Sequence, residues 1–270
     1  MPLHDRTIAL IGGGYISEVI LTVLLNTRTM TPDQFIVSDP RVDRLQYLAD
    51  TFQVSTTSDN AVAVKRADIV FFNVLPHVVE DVISELADPA LWTGRLIVTV
   101  AAGITMRQYT RISIDLPVVR ALPNPQSQTG DGVIALAFNS RVSAGQREDM
   151  LALFSPMGEL VEMEEGGINA MTALSTPVNV YQFIQSMIDA GIAAGLNHET
   201  STTIVLHTLA GSLEVWKQNM DNLDALIAHA APAGGVSAAC LSTLATFDFS
   251  RAISEAIQRG AERASTFSTP

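Results

Sequence analysis

One cysteine, Cys240, stands in 270 residues. No internal disulfide can form, and a reducing, cytoplasmic setting is expected. Basic residues are also scarce: 16 Lys and Arg face 28 Asp and Glu, a net charge of −12. That balance argues against nucleic acid or an anionic membrane as a partner. No run of about 18 uninterrupted apolar residues exists, so no spanning helix is expected. The longest candidate, Val178 to Leu196, is broken by Asn179, Gln182, Gln185 and Asp189. The opening stretch Met1 to Arg6 has no apolar core and does not read as a signal peptide. The five histidines are scattered, with no H-E-x-x-H and no C-x-x-C, so no metal site is expected. There is no G-x-S-x-G elbow and no Walker loop. No repeat or low-complexity block is present.

What is there begins at residues 6 to 39. Arg6 to Ile11 is a strand-type apolar run, followed at once by Gly12-Gly13-Gly14. Tyr15 to Leu25 has helical spacing, and Gln34 to Val37 is a second strand run ending in Ser38-Asp39. Strand, glycine turn, helix and strand are the layout of a mononucleotide-binding βαβ unit. Gly12 permits the tight turn, and Gly14 lets backbone approach a pyrophosphate closely. Ser17 holds the third small-residue position of the G-x-G-x-x-G/A pattern. The helix start at Tyr15 and Ile16 offers N–H groups to phosphate. The alternative reading is a glycine turn that caps a helix and binds nothing.

Further strand runs are expected at Ala67 to Phe72, Arg95 to Val100, Leu116 to Ala121, Val133 to Phe138 and Gly158 to Met163. Helices are expected at 41–52, after Asp59 as N-cap, at 78–86, and from Ser143 to Phe154. Three loops follow strand C-terminal ends: 12–17, 73–77 with Val74, Leu75 and Pro76, and 101–104 with Ala101, Ala102 and Gly103. In open parallel sheets ligands lie against such loops. Residues 1–163 therefore read as a mostly parallel α/β dinucleotide-binding domain. From residue 164 to 270 strand runs vanish and the chain reads as all-helical. Pro177 is a break near the start of Ile168 to Ala194, Asn197 caps a helix to Met220, and further helices follow at about 221–229, 236–246 and 249–265. Ile184, Met187, Ile188, Ile192, Leu206, Leu209, Leu213 and Trp216 offer more apolar surface than one short domain covers, so a homodimer through this region is expected.

The chain resembles the pyrroline-5-carboxylate reductase family along nearly its whole length. The likeness rests on Ile11 to Ser17, Thr57 to Ala61, Ala101 to Ile104, Arg120-Ala121-Leu122-Pro123-Asn124 and Gly130-Asp131-Gly132. In the helical part it rests on Thr172 to Ser175, Asp189-Ala190-Gly191, Gly195-Leu196 and Ala233 to Ser237. The resemblance implies a Rossmann-type N-terminal domain, an all-α C-terminal dimerisation domain and reduction of a cyclic imino acid by NAD(P)H. The lack of an evident catalytic acid fits hydride transfer to an already protonated imine, which needs positioning and a cofactor. Departures lie in the substrate segments. The family's Val-Lys-Pro is Val74-Leu75-Pro76 here, so the lysine is lost. Its Ser-Gly-Ser-Gly-Pro-Ala is Ser175-Thr176-Pro177-Val178-Asn179-Val180. Its Pro-Gly-Gly-Thr-Thr is Ala233-Gly234-Gly235-Val236-Ser237.

Cofactor contacts are thus expected from Gly12, Gly14, Tyr15, Ile16, Ser38, Asp39, Arg41, Val74, Leu75, Pro76, Ala101, Ala102, Gly103 and Asn124. Catalytic-site contacts are expected from Ser175, Asn179 and Ser237. Asn179 either reads a substrate group or caps its helix, and Ser175 either meets substrate or bonds its own helix. Asp39 favours NAD through a ribose hydroxyl. Ser38, Arg41 and Arg44 favour NADP through a 2′-phosphate, and the resemblance tips the expectation to NADP. The leading reading is a small imino-acid reductase whose substrate differs from pyrroline-5-carboxylate. Proline synthesis itself and a non-catalytic, NADP-binding or redox-sensing protein are the alternatives.

Overall fold

The computed structural model describes residues 3–218 and 222–266. They form two compact units. One runs to Ser175 and takes up the chain again from Arg259; the other is Thr176–Gln258.

The first unit carries strands β1 (Ile8–Ile11), β2 (Phe35–Ser38), β3 (Ser55–Thr57), β4 (Ile69–Phe72), β5 (Leu96–Thr99), β6 (Val118–Leu122), β7 (Gly132–Phe138) and β8 (Gly158–Glu162). Between and after them come α1 (Tyr15–Asn26), α2 (Val42–Phe52), α3 (Asn60–Lys65), α4 (Val79–Glu85), α5 (Met106–Tyr109), α6 (Ala144–Phe154) and α7 (Ile168–Leu174). The sheet order is β3-β2-β1-β4-β5-β6-β7-β8. All neighbours are parallel except β6 and β7, which run antiparallel. The chain leaves β1 toward β2 and β3 on one side and returns to β4 on the other. That reversal of strand order is where a doubly wound sheet opens its ligand crevice.

Strands β1, β2, β4, β5 and β6 are buried on both faces, which is why they read as near-continuous apolar runs. Ile8 and Leu10 of β1 point into a core shared with Ile20, Leu21 and Leu24 of α1 and Met150, Leu153 and Phe154 of α6. Ala9 and Ile11 point the opposite way, toward Ala63 and Val64 of α3 and Val79, Val82 and Ile83 of α4. Cap chemistry sets several boundaries. The Asp59 carboxylate accepts from the Val62 N–H at 3.1 Å, and the Ser143 hydroxyl from Gln146 at 3.3 Å. Two elements lie outside the periodicity reading. β3 is a half-buried Ser-Thr-Thr edge with no apolar run, and α5 is a single turn held by a Thr105–Gln108 capping box. The composition shift at 163 coincides with the end of β8, whereas the compact unit continues through α7.

The second unit holds α8 (Pro177–Ala193), α9 (His198–Lys217), α10 (Leu223–Ala230), α11 (Val236–Thr246) and the beginning of α12 (Phe249–Thr266). Pro177 occupies the first turn of α8, where its missing N–H costs nothing. Asn197 caps α9, its side-chain oxygen accepting from the Thr200 N–H at 2.8 Å. The helix end expected at Met220 lies outside the described residues. α8 and α9 approach closely at Gly191, where a Cβ would sit 2.7 Å from the Ser201 hydroxyl. Little else is enclosed: of α8 only Ile188 is buried. Val180, Tyr181, Leu206, Leu213 and Ile227 are exposed.

Candidate functional site

The glycine turn sits at the C-terminal end of β1, beside the start of the 73–77 loop after β4. Gly12 has φ +100°, a conformation that side chains avoid, and a Cβ there would lie 2.8 Å from the Asn73 carbonyl oxygen. Its N–H donates to the Ser38 carbonyl at 2.7 Å. The Ser17 hydroxyl donates to the Gly12 carbonyl and accepts from the Asn73 amide at 2.8 Å. Turn and neighbouring loop are thus locked together. Gly14 differs: its φ is ordinary, and a Cβ added there meets nothing within 4 Å. Gly14 is also the N-cap of α1 and provides no side-chain acceptor for the first-turn N–H groups. Open space, a bare cap and a positive helix end together fit a phosphate group.

Charge gathers next to this opening. A cavity of about 270 Å³ is lined by Gly14, Tyr15, Glu18, Arg41 and Arg44. Arg44 donates to the Gly13 and Gly14 carbonyls, pairs with Glu18, and lies over the Tyr47 ring at 5.0 Å. Asp39, 5% exposed, accepts from the Gly13 N–H at 2.9 Å and from Arg41 through both its backbone and its guanidinium. Burial pushes the Asp39 carboxyl up, but the Arg41 and Gly13 hydrogen bonds outweigh it and hold it below the ordinary carboxylate value. Arg41 itself remains largely exposed.

The other expected cofactor residues have the following places. Ser38 is buried, and its hydroxyl donates to Asn60 at 2.7 Å. Tyr15 is exposed and donates to Gln128 at 3.2 Å, while Ile16 packs against the core. Val74 is half-buried, Leu75 is exposed, and Pro76 begins a short 3-10 turn. Ala101 and Gly103 are buried and Ala102 half-buried at the end of β5, the next strand over. These loops therefore share one sheet edge. Asn124 stands apart in role: its side-chain oxygen accepts from the Val133 N–H at 3.2 Å and the Ser127 hydroxyl at 3.3 Å, holding a turn.

Of the substrate residues, Ser175 closes α7 in the first unit, and its hydroxyl meets the Met171 sulfur at 3.5 Å rather than its helix backbone. Asn179 and Ser237 belong to the second unit. Asn179 is the third residue of α8, whose N-cap is Thr176, so it is not the cap. Ser237 lies in the first turn of α11, next to the highly exposed Val236.

A buried polar cluster was not singled out from sequence. Arg120, 1% exposed in β6, donates to Asn169 at 3.0 Å and pairs with Glu165 at 3.7 Å. Glu165 also accepts from the Met106 N–H at 2.6 Å, and Tyr109 donates to Thr99 at 2.7 Å. Burial pushes the Arg120 guanidinium down and the Tyr109 phenol up. The signal was present: one cation inside the apolar run Val118-Val119-Arg120-Ala121-Leu122. Among the described residues no group of His, Cys, Asp and Glu is placed to hold a metal ion. No helix among them is long and apolar enough to cross a membrane.

Comparison with known proteins adds relatives to this geometry. A family model described as pyrroline-5-carboxylate reductase dimerisation matches residues 165–267. One described as NADP oxidoreductase coenzyme F420-dependent matches residues 7–103. A Mycobacterium leprae protein named pyrroline-5-carboxylate reductase is 36% identical over 234 residues, 84% of this chain and 79% of that one. A Synechocystis protein of the same name is 30% identical over 258 residues, 95% and 96% of the two chains. The crystal structure of Plasmodium falciparum pyrroline carboxylate reductase with NADP bound superposes with a TM-score of 0.87. It covers 98% of this chain and 99% of that one at 21% identity, a likeness of fold.

Proposed function

The chain belongs to the pyrroline-5-carboxylate reductase family, and we propose from this that it is an NADPH-dependent reductase of the C=N bond of a small cyclic imino acid. The observation that carries the cofactor half is Gly14. It stands open at the bare start of α1, at the reversal point of the sheet. Gly12, Gly14, Tyr15 and Ile16 would receive the pyrophosphate, and Ser38, Asp39 and Arg41 would hold the adenosine end. Val74, Leu75, Pro76, Ala101, Ala102 and Gly103 would border the nicotinamide, with Asn124 keeping the adjoining turn in shape. When bound, the reduced nicotinamide supplies hydride to the imine carbon. The imine nitrogen already carries its proton, so the protein's task is orientation and exclusion of water.

Ser175, Asn179 and Ser237 are the residues proposed to hold the substrate. Leu75 stands where the family has lysine, and Val236 where it has a threonine. Losing a hydroxyl donor to a charged group removes about 1.5–3 kcal/mol, or about 10- to 100-fold in affinity. The preferred substrate is therefore proposed to differ from pyrroline-5-carboxylate. A second reading, pyrroline-5-carboxylate itself, is favoured by the names of relatives that span most of this chain. The helical region is proposed to form a homodimer in a reducing, cytoplasmic setting.

The test follows NADPH oxidation by the purified protein with pyrroline-5-carboxylate and a panel of other cyclic imines. Turnover is expected, with another imine giving the highest kcat/KM. If pyrroline-5-carboxylate is best, the second reading stands. NADPH binding without oxidation of any imine would leave a non-catalytic, redox-sensing role.

A further inference from the structure

The Asp39 carboxylate has no acceptor capacity left for a ribose hydroxyl. An ionised carboxylate has about four lone-pair sites. Here Oδ2 accepts from the Gly13 N–H at 2.9 Å and Arg41 Nη2 at 3.2 Å. Oδ1 accepts from the Arg41 backbone N–H at 3.0 Å and Arg41 Nε at 2.9 Å. Three of the four donors come from one residue. Arg41 uses two of its five guanidinium N–H groups in this fork, and its side chain is 59% exposed beside the cavity. Arg44, the other cation there, is engaged by two carbonyls and Glu18. Arg41 is thus the cation placed to meet an incoming dianion, and Asp39 aims it.

We propose that Asp39 anchors Arg41 rather than reading ribose, so that Arg41 alone decides which dinucleotide the chain accepts. With Arg41 in place, its outward N–H groups take a 2′-phosphate and the carboxylate is closed to a hydroxyl. Without the Arg41 side chain, one site opens on each Asp39 oxygen, and the carboxylate becomes an acceptor for the 2′-hydroxyl of NADH. The inference rests on the proposed dinucleotide site and adds what selects between the two forms.

Equilibrium titration of wild type, Arg41→Ala and Asp39→Asn tests it, with NADPH, NADH and adenosine 2′,5′-bisphosphate as ligands. The last carries no nicotinamide, so its binding is read without turnover. Arg41→Ala is expected to lose about 10- to 100-fold in affinity for NADPH and for the bisphosphate, while binding NADH more tightly than wild type does. Asp39→Asn is expected to weaken NADPH and the bisphosphate without any gain for NADH. Arg41 is exposed, so its variant keeps the result interpretable if the buried Asp39 substitution impairs folding. If wild type binds NADPH but Arg41→Ala weakens both dinucleotides alike, or a folded Asp39→Asn binds like wild type, this inference is overturned alone. If wild type binds neither dinucleotide, the site reading beneath it fails as well.

Discussion

At Gly12 an added methyl group would meet the Asn73 carbonyl on a backbone held at φ +100°. Gly12→Ala is expected to cost at least about 1–2 kcal/mol in backbone strain alone, seen as a lower urea midpoint. Gly14→Ala has the opposite profile. Its methyl would enter open space at an ordinary φ, so stability should stay within about 1 kcal/mol of wild type while dinucleotide affinity falls. Melting and titration of the two variants separate these outcomes. Asp39 adds a pH dependence. Its carboxyl is held below its ordinary value of 3.8, so its ionised form stabilises the folded state above that pH. That contribution is lost as pH falls through the lower folded value. The stability difference between wild type and Asp39→Asn should be level above pH 3.8 and shrink below it. The turn at Gly12 and the open approach at Gly14 were legible in the glycine spacing; the role of Asp39 was not. Asp after the second strand reads as a ribose acceptor, and only the neighbours show that Gly13 and Arg41 already fill it.

Elements were far more legible than individual roles. α3 begins after Asp59 and α9 after Asn197, and Pro177 separates α7 from α8, because caps and proline act through local chemistry that a sequence displays. β3 and α5 were not legible, since three polar residues and one turn have no periodicity to read. The antiparallel direction of β7 is a tertiary choice that no local pattern in 132–138 encodes. Nor did the apolar spacing of β6 disclose that Arg120 joins three elements: β6 itself, α7 through Asn169, and the start of α5 through Glu165. Arg120→Met should therefore lower stability by about 1–3 kcal/mol, from the partners left unsatisfied. Urea denaturation checks it, and Arg120→Lys should recover only part, lacking the planar fork.

For the molecule as a whole, the helical unit encloses little on its own. α8 has seventeen residues and one buried side chain, and α9 leaves Leu206 and Leu213 in solvent. Together with the dimerisation match over residues 165–267, this argues that a second copy covers those faces. Sedimentation equilibrium should give twice the chain mass of 28.9 kDa. Leu206→Asp combined with Leu213→Asp should give the mass of a single chain. The apolar excess was visible in the sequence, since surface that one domain cannot hide is a matter of composition.

The second half of α12 has its own consequence. From Arg259 the chain rejoins the sheet-bearing unit, where Gly260 lies so near Ala173 that a Cβ would sit 2.8 Å from the alanine methyl. During synthesis, then, an earlier stretch of the chain waits for a later one. The sheet and its helices leave the ribosome before residues 259–266, which complete their unit, have been made. Removing the last two turns of α12 should loosen the sheet-bearing unit rather than the helical one.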